Sequence, residues 1–232
     1  EWHHVVFVQD GGERRVYVDG ELDDLSIPSK PDGTFNVNDT TIGGILRASP
    51  SHGVTGLIDD VAIWNRALSD DEAAQLHAEG LASVFPSLGN GLIAYWPLDE
   101  VQGSKTPELV NGYDMELTNL SAEDVVGGKI GNAFSFANER QTLLGRVHDA
   151  ADQLPANKHE SHTVSMWSKV DGNGQNDLRL FSEANTGDSN PLFNIGTDSG
   201  GASGSIDFYI RQSGWPGVNH IKSTAEPRSR KY

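Results

Sequence analysis

Residues 1–20 read EWHHVVFVQDGGERRVYVDG. Within them, residues 3–9 (HHVVFVQ) alternate and are rich in β-branched side chains, and residues 14–18 (RRVYV) repeat the pattern. Such side chains fit a pleated, half-buried surface. Between the two runs lies Asp10-Gly11-Gly12, which supplies the positive φ of a tight hairpin turn. The stretch predicts two antiparallel strands, and Asp19-Gly20 turns the chain again.

The same grammar continues outward. Residues 22–39 carry Pro28, Pro31 and Gly33 and read as loop. Residues 40–42 form a short strand, and residues 55–64 (TGLIDDVAIW) a longer one with two acids at its middle. Then the pattern changes. Ser69-Asp70-Asp71-Glu72 is a capping box, three acids suit the positive end of a helix, and Gly80 is a natural stop, so residues 69–79 predict a single short helix. Residues 81–90 (LASVFPSLGN) read as a linker. A second β series follows at 91–98, 133–137, 142–147, 163–170, 178–183, 192–196, 205–211 and about 218–223. Many short strands separated by turn signals predict an all-β sandwich. The last residues, 228–232 (RSRKY), read as a frayed tail.

Composition narrows the partners. The 232 residues include 33 acidic and 17 basic side chains, for a net charge of −16. Such a surface repels nucleic acid and anionic lipid and attracts cations, calcium among them. With no cysteine, disulfides, thiolate metal sites and thiol catalysis are excluded. No apolar run is long enough for a membrane helix. The chain opens on Glu1 directly at a strand, so a piece of a longer protein is expected.

Asp59 and Asp60 stand out. Adjacent residues of a regular strand face opposite ways, so one of the two carboxylates is expected to lie toward the core or a partner edge, where it needs a cation or several donors; the alternative is two ordinary solvated or capped acids. His3 and His4 diverge by the same rule, and His159-x-x-His162 lacks the helix and glutamate of a zinc protease. Residues 171–177 (DGNGQND) lack the glycine position and closing glutamate of a calcium loop and read as a hairpin connection. Glu21-Leu22-Asp23-Asp24-Leu25-Ser26 is the nearest approach to the E-x-D-x-x-E pattern of jelly-roll glucanases. Its second glutamate is missing. Trp215, in the turn sequence Ser213-Gly214-Trp215-Pro216-Gly217, is the candidate to stack on a sugar face or to fold back over the sandwich.

Five segments together resemble the laminin G-like, concanavalin A-like jelly-roll family: residues 1–20, residues 56–72 (GLIDDVAIWNRALSDDE), residues 91–100 (GLIAYWPLDE), residues 128–136 (GKIGNAFSF) and residues 163–169 (TVSMWSK). The resemblance implies an antiparallel two-sheet jelly roll. It also implies a non-catalytic carbohydrate-binding or adhesion module, secreted or at the cell surface, with carbohydrate or an extracellular protein as partner. A calcium-stabilised spacer without specific ligand and a glycosidase of the same fold are the alternatives. In that family a structural calcium bridges the first and last strands. Carried over, Asp60 is the leading ligand, with Asp59 or Asp99 assisting and backbone carbonyls near Asp99 and Gly131 completing the shell. After Phe136 the family usually has Asp-Gly, and this chain has Ala137-Asn138.

The order of the segments is inverted. Residues 1–80 resemble the end of one module and residues 91–227 the start of the next, as in a tandem array. Half a sandwich exposes its inner face and strand edges, so the two parts are expected to complement each other as one circularly permuted domain. Residues 2–9 would then pair or pack near 205–223. The alternatives are two incomplete halves, or complementation between chains by swapping.

Overall fold

The computed structural model describes residues 1–26, 37–171, 175–197, 205–211 and 219–223. Its strands, in chain order, begin with β1 (His3–Asp10), β2 (Glu13–Val18), β3 (Glu21–Ser26), β4 (Asp39–Ile42), β5 (Ile45–Leu46), β6 (Pro50–Ser51) and β7 (Gly56–Trp64). Helices α1 (Asp70–Glu79) and α2 (Leu81–Leu88) follow. Then come β8 (Leu92–Trp96), β9 (Lys105–Thr106), β10 (Met115–Thr118), β11 (Val125–Gly127), β12 (Asn132–Phe136), β13 (Leu143–Val147), β14 (Ser161–Val170), β15 (Arg179–Asn185), β16 (Asp188–Thr197), β17 (Ile206–Arg211) and β18 (Asn219–Lys222).

The fold is an antiparallel jelly-roll sandwich. One sheet runs β11-β12-β7-β14-β1-β2-β3, with β8 also on β7, and the other runs β18-β17-β16-β15-β4-β13-β10-β9. Strands from residues 1–80 and from residues 91–227 interleave: β14 lies between β7 and β1, and β4 lies between β13 and β15. The strand of Trp64 lies beside that of Tyr95. Phe7 stacks on Phe208 across the interior with ring centroids 5.2 Å apart, which puts β1 against the strand at 206–211.

Alternation explains two apolar layers. Val5 and Phe7 of β1 join Val164 and Met166 of β14 in the core between the sheets. Val6 and Val8, with Ala62 and Trp64, face the other way and are covered by Ala73 and Leu76 of α1 and Leu81, Val84 and Leu88 of α2. The capping box of Ser69 and Glu72 forms as expected, and Arg66 clasps the same Glu72 with two 2.8 Å bonds.

Three expectations are corrected. The stretch 81–90 is not an extended linker. Leu81, Val84 and Leu88 share one helical face that buries against the sheet, and that burial outweighs Pro86 within the helix. The fold therefore carries two helices rather than one. Residues 21–26 are an edge strand rather than loop, held by pairing with β2 despite their acids.

Candidate cation site at the β7 bulge

One edge of β7 is covered by β14 along residues 56–64. The other edge is shared: β12 pairs with residues 56–58 and β8 with residues 61–64. Asp59 and Asp60 fall in the gap between these two partners. There β7 carries an extra residue relative to β14, and Asp60 adopts a left-handed φ of 50°.

The bulge overturns the expectation that the two acids face apart. Ile58 and Val61 both enter the inner core, three residues apart rather than two. Asp59 and Asp60 therefore both lie on the outer face. Asp59 is directly opposite Trp167, whose ring packs 5.3 Å from His77 of α1. Asp60 accepts a hydrogen bond from the hydroxyl of Tyr95, which packs against the outer layer.

A glycine-lined turn closes the gap. Asp59 Oδ2 accepts from the backbone N–H groups of Lys129 (2.7 Å) and Ile130 (2.9 Å). Asp99 Oδ1 accepts from Asn132 N at 2.6 Å, and the Asp99 carbonyl accepts from the Asn132 side chain at 3.0 Å. Gly131 has φ 66°, and a Cβ there would sit 2.4 Å from Asp99 Oδ1. The Gly131 carbonyl accepts from Gly128 N at 3.0 Å. A Cβ on Gly128 would come within 2.6 Å of Asp59 Oδ2.

Two carboxylate oxygens remain unspent. Asp59 Oδ1 and Asp60 Oδ2 are buried with no hydrogen-bond partner. Burial pushes the Asp59 carboxyl up to about 7. Its two backbone donors oppose the shift, and Asp60 and Asp99 add to it. Burial likewise pushes Asp60 up to about 6, with Tyr95 opposing and Asp99 adding. Unspent oxygens on buried acids suit a hard cation, and calcium accepts six to eight oxygen ligands. Among the described residues no three His, Asp or Glu side chains are grouped to hold a metal. A cation here would rest on Asp59 and Asp60, with carbonyls near Asp99 and Gly131 for the remainder.

The other candidates do not converge on this place. Trp215 lies outside the described residues, as do residues 172–174 of the 171–177 connection. His3 pairs with Asp19 at 2.9 Å, while His4 bonds Ser165 and packs on Trp167. His162 Nδ1 lies 3.2 Å from the His159 carbonyl. The sequence did contain a signal for the bulge. The apolar residues Ile58, Val61 and Ile63 break the period of two, a phase slip that marks an inserted residue. The 128–131 turn was marked by the family resemblance of residues 128–136, whereas Tyr95 as the partner of Asp60 carried no comparable signal.

Residues 1–74 match the family model described as the concanavalin A-like lectin/glucanases superfamily. No curated protein and no solved structure matches the chain.

Proposed function

We propose that this chain is a non-catalytic carbohydrate-binding or adhesion module of a larger secreted or cell-surface protein, with a structural calcium held at Asp59 and Asp60. One observation carries the reading. The matched residues 1–74 supply β1 to β7, and four of these, β1, β2, β4 and β7, are inner strands of the two main sheets, with β3 at an edge and β5–β6 apart. When bound, calcium would neutralise two adjacent buried carboxylates and tie β7 to the 128–131 turn. The non-catalytic part of the reading rests on the E-x-D-x-x-E comparison, where Ser26 stands in place of the closing glutamate.

A second reading, a spacer stabilised by calcium, is favoured by the burial of Asp59 and Asp60 at 0% and 7% exposure, since an ion so deep serves the scaffold. A glycan array probed with the intact chain in calcium separates the two. Retention on a defined glycan class supports the module. A blank array up to about 1 mM sugar, with melting still raised by calcium, assigns the spacer. Release of reducing ends from β-glucan overturns the non-catalytic reading.

A further inference from the structure

Three Asn-Gly pairs occur in the chain, at residues 90–91, 111–112 and 173–174. The last lies outside the described residues. Asparagine before glycine is prone to spontaneous deamidation, because no Cβ shields the backbone nitrogen that attacks the carboxamide. Asn90 and Asn111 are both exposed, and the glycine after each has a left-handed φ, 78° at Gly91 and 72° at Gly112. Exposure does not tell the two pairs apart. Their hydrogen bonds do.

Asn111 is tethered. Its carboxamide nitrogen donates to the Ile93 carbonyl at 2.9 Å, and its backbone N–H donates to Glu108 Oε2 at 2.7 Å. Tyr113 N donates to the same oxygen at 3.1 Å, so both flanks of Gly112 are pinned to one carboxylate. Asn90 stands in the turn between α2 and β8, closed by Leu92 N donating to the Gly89 carbonyl at 3.2 Å. Among the described residues its carboxamide has no partner. Its backbone carbonyl accepts from Arg66 Nε at 2.7 Å. Arg66 is itself anchored, with Nη1 and Nη2 each donating to a Glu72 oxygen at 2.8 Å, which aims Nε at that carbonyl.

We infer that Asn90 is a site of spontaneous deamidation at the joint between α2 and β8, and that Arg66 steers its product to isoaspartate. The Gly91 nitrogen gives its proton to solvent and attacks Asn90 Cγ. A C–N bond forms and ammonia leaves. The five-membered imide that results has two carbonyls, and one water opens it at either. Attack at the former side-chain carbon returns aspartate. Attack at the former backbone carbon breaks its bond to the Gly91 nitrogen, leaves a free carboxylate there and routes the chain through the side chain as isoaspartate. Arg66 Nε donates to the oxygen of that second carbon. It stabilises the charge that develops there during attack, and afterwards it holds a carboxylate in place of a neutral carbonyl, a stronger bond. The modification needs no ligand and stands apart from the carbohydrate reading.

Ageing of the intact chain at neutral pH, with a parallel sample held unfolded in urea, tests both parts by peptide mapping. Folding should slow conversion of residue 111 at least about tenfold, because one or two hydrogen bonds must break first, and slow residue 90 far less. At residue 90 the ratio of isoaspartate to aspartate should be higher in the folded chain than in urea, and Arg66→Gln should return it to the urea value. Asn90→Gln should abolish conversion at that position. Equal protection of residues 90 and 111, or faster conversion of 111 in the folded chain, overturns the site. A ratio unchanged by folding, or one that Arg66→Gln leaves high, overturns the role of Arg66. If Arg66→Gln does not fold, the folded and unfolded ratios of the unaltered chain decide.

Discussion

Tyr95 joins two buried acids that behave differently. Its backbone N–H donates to Glu108 at 2.6 Å, and its hydroxyl donates to Asp60. Glu108 also accepts from the N–H groups of Val110 (2.8 Å), Asn111 (2.7 Å) and Tyr113 (3.1 Å). Both of its oxygens are doubly occupied, and the residue acts as a knot for the 108–113 turn. Asp59 and Asp60 each keep one oxygen without a partner. The contrast is between an acid whose hydrogen-bonding capacity is spent within the fold and two that each keep one oxygen in reserve, the feature on which the proposed calcium rests.

The comparison can be broken most severely at Glu108. Glu108→Ala strands four backbone donors and should cost about 3–5 kcal/mol in urea unfolding, by the same amount with or without calcium. A loss below about 1 kcal/mol would mean that water replaces the carboxylate and that the knot is ornamental. Asp60→Asn should behave in the opposite way. With a chelator present it should cost little, because it relieves two adjacent acids. With calcium at a hundred to a thousand times Kd, the unaltered chain should gain about 3–4 kcal/mol and the variant nothing. An equal gain in both would move the ion away from the bulge.

Glu183 sharpens the distinction as an intermediate case. It is fully buried, its carboxylate accepts from Ala156 N and Asn157 N, and Asp39 lies near enough to repel it. Burial pushes it from 4.5 up to about 8. The folded chain therefore holds this proton more tightly than the unfolded chain. The stabilisation is complete below pH 4.5 and is lost as pH rises through about 8. Glu183→Gln should remove that part of the slope, so that between pH 5 and 8.5 the unaltered chain loses on the order of 4 kcal/mol against the variant. Asp39, pushed up to about 7 by burial, contributes a slope of the same sign to both proteins. Parallel pH profiles would show that Glu183 is ionised in the fold.

Much of this architecture could be read from local chemistry. The Asp10-Gly11-Gly12 turn and the Ser69–Glu72 capping box are settled by residues within four positions of one another, and both form as read. Helix α2 was obscured because Pro86 and Ser87 read as breakers, while the apolar face that overrides them has meaning only against Trp64, whose indole N–H donates to the Leu88 carbonyl at 2.7 Å. β3 was obscured because its strand state comes from pairing with β2. At the candidate site the residue identities were legible and their geometry was not. Asp59 and Asp60 share a face because β7 bulges against β14, and they lie beside the 128–131 turn because β8 and β12 leave a gap there, which is a fact of tertiary assembly.

The interleaving of β4 and β14 among strands from the other part of the chain has a consequence for anyone who cuts it. A nick between α2 and β8 would free two peptides, neither holding a finished sheet, with β7 still templated by β8 on one side and β14 on the other. Such a pair is suited to act as a reconstituting reporter, in which two separately expressed fragments report their meeting by completing one folded body.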